Sequence, residues 1–261
     1  MPALRPVAGA EVVAAVRRAA GGNPLLGIGL DREAGVTAGV PADRLCGTSD
    51  DGRPDGTATA LVADLTDRVA ARLGGCERRV AASLVILGYS ARLVGPAVSV
   101  LLREDLLLDL RPENVRFGYD PGRGFGMDLV RPAAWRGDRT ALREGWHRTV
   151  VDDHLRPVVE AVRSVTPVAA GLLWGNVASG LAGALRATAA RATATRAGAT
   201  DDGAARYHAE GLALLDYGPL RCSGYLSVRS GRLSFVRRSC CLYYRLDGGG
   251  MCGDCALLRT R

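Results

Sequence analysis

Four cysteines crowded into the last 22 residues constrain this chain more than any other feature: Cys240-Cys241, ten residues, then Cys252-Gly253-Asp254-Cys255. Random scatter of seven cysteines would rarely gather four so closely; the others are Cys46, Cys76 and Cys222. Gly248, Gly249, Gly250 and Gly253 surround the second pair, and such backbones can curl around an ion and aim N–H groups at sulfur. Four thiolates in that setting are the ligand set of a metal centre. A four-cysteine zinc site uses two Cys-x2-Cys knuckles on one tetrahedral ion. Cys252 and Cys255 have that spacing, but Cys240 and Cys241 do not. Adjacent residues of an extended chain point to opposite faces, so their sulfurs reach one ion only if the backbone is contorted. A two-iron cluster spreads its ligand positions over two metal ions and tolerates an adjacent pair better. The spacing therefore tilts toward iron–sulfur and leaves zinc open.

The other 239 residues of the 261 are enough for a large core. Apolar residues make up 48% and charged ones 23%, which excludes a disordered, collagenous or coiled-coil chain. The net charge of +7 comes entirely from arginine, with no lysine and no glutamine; this skew reads as the imprint of a GC-rich genome and permits an anionic partner. Aromatics are 5% and interleave with no arginine-rich run, so no nucleic-acid partner is expected. The start, Met1 to Gly22, carries Arg5, Glu11, Arg17 and Arg18 and lacks the uninterrupted apolar stretch of a signal peptide. A cytoplasmic, reducing location is expected, where cysteines serve as ligands or catalysts more often than as disulfides. Ser164–Leu185 is charge-free over 22 residues, long enough to span a bilayer. Its Pro167, Asn176 and four glycines make a core helix, starting at Thr166-Pro167, the better reading. No integral membrane span is expected.

Apolar periodicity predicts helices over 8–20, Thr59–Leu73 and Glu77–Leu93, separated by a long loop region at 21–56. Pro96 is expected to end helical continuity. Short strands follow at Val98–Leu102, Leu106–Leu110, Asn114–Tyr119 and Gly126–Val130, with a turn at Pro121–Gly124. Helices return at 139–162, 167–197 and 203–216, and a hairpin pairs Tyr225–Val228 with Leu233–Val236. The fold class is α+β: mostly helical, with a small antiparallel sheet and a compact C-terminal cysteine segment. The expected division is a body at 1–220 and a cluster-binding segment at 221–261. His147, His154 and His208 are too scattered for a metal triad and read as core or helix-surface residues. Cys46, Cys76 and Cys222 read as small hydrophobes or idle thiols.

The run Arg237-Arg238-Ser239-Cys240-Cys241-Leu242-Tyr243-Tyr244-Arg245, followed by Gly250-Met251-Cys252-Gly253-Asp254-Cys255, resembles the C-terminal signature of the FhuF-type ferric-siderophore reductases. Ala81–Pro96 and Leu173–Ser179 are similar to that family more loosely, and the region before the cysteines also resembles a domain of some siderophore synthetases. The resemblance implies that Cys240, Cys241, Cys252 and Cys255 hold a [2Fe-2S] cluster in a cytoplasmic enzyme that reduces ferric siderophores. Arg238 and Arg245 are candidate cluster-tuning residues, because nearby cations stabilise the more anionic reduced form. No P-loop or dinucleotide fingerprint is present, and no flavin or nicotinamide site is visible. Electrons are therefore expected from a separate reduced donor of ferredoxin or flavoprotein type. A non-catalytic [2Fe-2S] carrier or redox sensor is the alternative, and a zinc-stabilised binding module a third reading.

Overall fold

The computed structural model describes residues 4–30, 39–194 and 202–260, so the end of the expected helix at 167–197 lies outside the described residues. Two long helices form its axis, α3 (Arg78–Glu104) and α6 (Ala170–Ala194), packed against each other. Around them lie α1 (Gly9–Ala20), α2 (Gly56–Arg72), α4 (Arg139–Trp146), α5 (Arg156–Val165) and α7 (Asp202–Leu215). α3 is apolar nearly all round, as a helix enclosed by others must be. Among the described residues it is the helix long and apolar enough to cross a membrane, yet 72% of its apolar window is buried inside the protein. Ser164–Leu185 is not one helix. α5 ends at Val165 and α6 begins at Ala170, so Pro167 lies in the connection and not at the first helical position.

Pro96 does not end α3, and Val98–Leu102 is helix where a strand was expected. A short run of buried apolar residues has no period of its own to separate the two. Here the long partner helix α6 makes the helical solution the one that buries it. The preceding Gly95 lets another segment lie directly against the helix at this point. A Cβ on Gly95 would sit 1.9 Å from the Leu25 carbonyl oxygen, so the loop after α1 crosses α3 in backbone contact. Arg92, one turn earlier, donates to the Pro24 carbonyl of the same loop. Because the obstruction is backbone, Gly95→Ala is expected to cost about 1–3 kcal/mol, read as a lower thermal midpoint; a variant as stable as the parent would contradict this crossing.

The strands are small and antiparallel. β1 (Arg5–Pro6), β6 (Ala134–Arg136) and β3 (Leu106–Leu108) form one sheet, and β2 (Val40–Pro41), β4 (Val115–Asp120) and β5 (Gly124–Leu129) another. Register pairs Val115 with Leu129, Phe117 with Met127 and Tyr119 with Phe125, so alternate side chains of β4 and β5 share the core face. Phe117 and Phe125 meet the Tyr89 ring edge-on at 5.5 and 5.9 Å, which docks this hairpin on α3.

The expected helix at 139–162 is a continuous rod in which His147–Leu155 is π-helical between α4 and α5. The Arg156 N–H reaches back to the Val151 carbonyl, and this wider turn accommodates Pro157, which has no N–H to give to the turn before it. The π segment puts His154 fully inside the core. The Leu110 carbonyl, an acceptor only, lies 2.7 Å from Nδ1, so Nδ1 carries the proton. Nε2 then accepts from the Tyr89 hydroxyl at 2.7 Å. Burial lowers the His154 pKa to about 4 and pushes Tyr89 well above its ordinary value.

Candidate metal centre

The C-terminal segment begins with the hairpin β7 (Gly224–Arg229) and β8 (Arg232–Arg237), paired from Gly224↔Arg237 to Arg229↔Arg232. Leu233, Phe235 and Arg237 alternate onto its buried face. β8 packs on α6 and delivers the chain directly to Cys240 and Cys241. The contortion that an adjacent pair demands is present one residue later. Leu242 has φ +67°, a left-handed conformation that costs a non-glycine residue about 1–2 kcal/mol. It turns the Leu242 N–H back onto Cys240 Sγ at 3.4 Å. A second turn, closed by the Cys255 N–H on the Cys252 carbonyl at 3.1 Å, brings that pair around. Cys241 and Cys255 are buried, while Cys240 and Cys252 are half-buried, so the set has an inner and an outer edge.

Among the described residues no three His, Cys, Asp or Glu side chains converge as one metal ion would require. Cys252 interacts with Cys241, and Cys240 feels both Cys241 and Cys255. Loss of solvent first, then these neighbouring sulfurs, push the Cys252 thiol up to about 12 and raise Cys240 as well. Four thiols that act on one another in this way supply the four thiolate donors that a two-iron cluster takes. The donor set fits the cluster.

Two buried polar latches tie this segment to the helices. The Asp254 carboxylate, between the last two cysteines, accepts from Arg186 Nη1 of α6 at 2.8 Å and from the Ser179 hydroxyl. Asp254 is 6% exposed. The second latch is a chain of contacts. Arg237 donates to the Asn176 side-chain oxygen, and Asn176 Nδ2 donates to the Ser83 carbonyl at 2.7 Å and hydroxyl at 2.9 Å. The Ser83 hydroxyl in turn donates to the Cys241 carbonyl at 2.7 Å. β8, α6, α3 and the cysteine loop are thus joined by hydrogen bonds that removal from water makes costly to leave unmade.

The arginines singled out from the sequence lie further out. Arg238 is exposed and stacks on the Tyr225 ring, 4.7 Å from its centroid. Arg245 pairs with Glu77 at 2.5 Å, both partners well exposed; such a pair is worth little. Cys46 is half-buried against the His154 carbonyl and its thiol is pushed up to about 12 by burial. Cys76 is half-buried and Cys222 exposed. Arg237, Asp254, Asn176, Ser83 and Ser179 are the site residues that sequence reasoning left without a role. Period-two alternation along β8 distinguishes Arg237 from Arg238: counting from Leu233 and Phe235, Arg237 faces inward and Arg238 outward.

A separate open cleft of about 430 Å³ is lined by Leu4, Leu107, Arg111, Trp135, Arg148, Thr149 and Asp153. None of its lining residues belongs to the cysteine segment or to the latches that hold it.

Comparison with known families gives two matches. Residues 237–257 match the family model described as the FhuF 2Fe-2S C-terminal domain. Residues 83–210 match the model described as ferric iron reductase FhuF-like transporter. No curated protein is similar enough to the chain to be set beside these matches. The first match spans the four cysteines and starts at Arg237, while the second starts at Ser83 and includes Asn176, so the latch joins the two matched regions. Since both models come from one family and together cover more than half of the chain, the protein belongs to the FhuF-type ferric iron reductases, oxidoreductases with a [2Fe-2S] cluster.

Proposed function

We propose that Cys240, Cys241, Cys252 and Cys255 hold the cluster, and that the protein reduces ferric siderophores at its outer edge, releasing Fe(II) in the cytoplasm. The observation that carries this reading is the four-thiol segment, fixed to the helical body on its inner side and open on its outer one. A bound [2Fe-2S] cluster supplies one-electron transfer, accepting from a donor and giving to the ferric chelate. An oxygen-donor chelator holds hard Fe(III) tightly and Fe(II) far less well, so one electron frees the metal and spares the chelator.

The chain's own part is placement. Cys241 and Cys255 anchor the inner edge, and Cys240 and Cys252 present the outer one. Tyr243, Tyr244 and Met251 flank those cysteines and are 41–43% exposed, an apolar rim against which a siderophore can rest. Over residues 221–258 the exposed charges are Arg221, Arg229, Arg232, Arg238 and Arg245 against Asp247. That basic face favours an acidic separate donor of ferredoxin or flavoprotein type. Arg238 and Arg245 act as outer, solvent-screened tuning charges. Residues 1–220 form the body that supports the chelate and 221–261 the cluster segment.

The test supplies a ferric hydroxamate, a chemically reduced ferredoxin and a ferrous trap. Trapped Fe(II) is expected to accumulate only when the protein is added, with many irons released per protein molecule. Accumulation no faster than with donor alone would contradict the proposal.

A further inference from the structure

Arg237 is 1% exposed, among the largest fully buried side chains of the protein. Its Nη2 donates to the Asn176 oxygen and, at 3.3 Å, to the Leu172 carbonyl. Its Nε is buried with no hydrogen-bond partner. Among the described residues both acceptors are neutral, and Asp254, whose carbonyl accepts from the Arg237 backbone N–H at 3.1 Å, has its carboxylate taken by Arg186 and Ser179. A buried guanidinium facing only neutral acceptors is expensive, several kcal/mol in general, unless a counter-charge stands beside it. The site is also shaped for this group. A Cβ on Gly175 would lie 3.2 Å from Arg237 Nη2 and 2.3 Å from the Ser239 hydroxyl, so α6 has no side chain where the arginine lies. Among the described residues, Arg237 is the cation whose charge acts on both Cys240 and Cys252.

We infer that Arg237 is the internal counter-charge of the cluster, a potential-setting and positioning residue aimed by Asn176 and Ser83; this rests on the four cysteines holding that cluster. Two ferric ions, two sulfides and four thiolates sum to a dianion, and the added electron makes a trianion. A fixed cation in a site without solvent stabilises the trianion more, and so raises the potential. Arg238 and Arg245 stand in water and are screened. The chain from Arg237 through Asn176 and Ser83 to the Cys241 carbonyl also ties the position of this charge to α3 and α6, the body of the protein.

The test is the reduction potential of the cluster-loaded full chain, read by visible spectroelectrochemistry at low and high salt. Arg237→Met is expected to lower the equilibrium constant for reduction at least tenfold, about 59 mV or more for one electron. The fall should persist at high salt, and Arg237→Lys should recover most of it. Arg238→Ala and Arg245→Ala should change the constant less than threefold and only at low salt. Asn176→Asp sets a carboxylate against the guanidinium without emptying the site and should also lower the constant about tenfold, so the inference does not depend on Arg237→Met loading its cluster. A loaded Asn176→Asp or Arg237→Met variant within twofold of the parent would overturn the inference. Failure of the parent itself to load a cluster is a different result, and would instead overturn the ligand assignment.

Discussion

Serine in place of any one of Cys240, Cys241, Cys252 or Cys255 is expected to remove the visible absorbance of the cluster or shift it strongly, and to cut ferric reduction at least tenfold. Two irons bridged by sulfide need four protein donors, and an alkoxide-forming hydroxyl is a poor substitute for a soft thiolate. The inner residues Cys241 and Cys255 should be the more damaging to change. They are buried, and Cys241 is also held through its carbonyl by Ser83. Cys46→Ser, Cys76→Ser and Cys222→Ser should keep the spectrum. Anaerobic purification with iron and sulfide analysis checks the set. Loss of the cluster in Cys222→Ser with its retention in Cys240→Ser would mean that a different sulfur is the ligand.

Acid should weaken the helical body through one residue. His154 binds a proton near pH 6.5 in the unfolded chain but only near pH 4 when buried. Between those values the unfolded state carries a proton that the native state refuses, so stability is complete above pH 6.5, falls as pH drops, and levels off below about 4. At about 1.4 kcal/mol per unit, the loss over that window is about 3 kcal/mol. His154→Gln keeps a polar side chain for Tyr89 and the Leu110 carbonyl and removes the titration. Its denaturation free energy should therefore vary less between pH 7 and 4, by about 3 kcal/mol. His147, whose pKa burial also lowers, is present in both proteins and cancels. Parallel curves for parent and variant would contradict a neutral buried His154.

Local signals reported the fold where one rule governed it. The hairpin at 225–236 came from turn residues and alternation, and the pairing of β7 with β8 adds only one residue at each end of both strands. The break at Pro96 was wrong because a rule about an isolated helix met tertiary packing. Gly95 lets a loop cross there, and α6 gives Val98–Leu102 a helical surface to bury against. The π-helical register at His147–Leu155 has no short-range signature except Pro157 at its end. The four cysteines were legible because their spacing is a chemical statement in itself. Asn176 stands out in the sequence only as a polar residue in a core helix, and its partners, Ser83 and Arg237, lie 93 and 61 positions away. No sequence pattern joins those three. Arg238 and Arg245 stood out by proximity to cysteine, but burial depends on strand phase, and phase selects Arg237.

Single-turnover mixing tests the central claim most directly. Protein reduced once, freed of excess reductant, is mixed anaerobically with ferric hydroxamates and catecholates while the cluster absorbance and a ferrous trap are followed together. One-electron reduction at the four-cysteine site predicts that, with at least one chelate, the cluster reoxidises and Fe(II) appears at the same rate, one iron for each cluster. A cluster that stays reduced under every ferric chelate, yet is oxidised promptly by peroxide, would contradict the reductase account and mark the protein as a sensor.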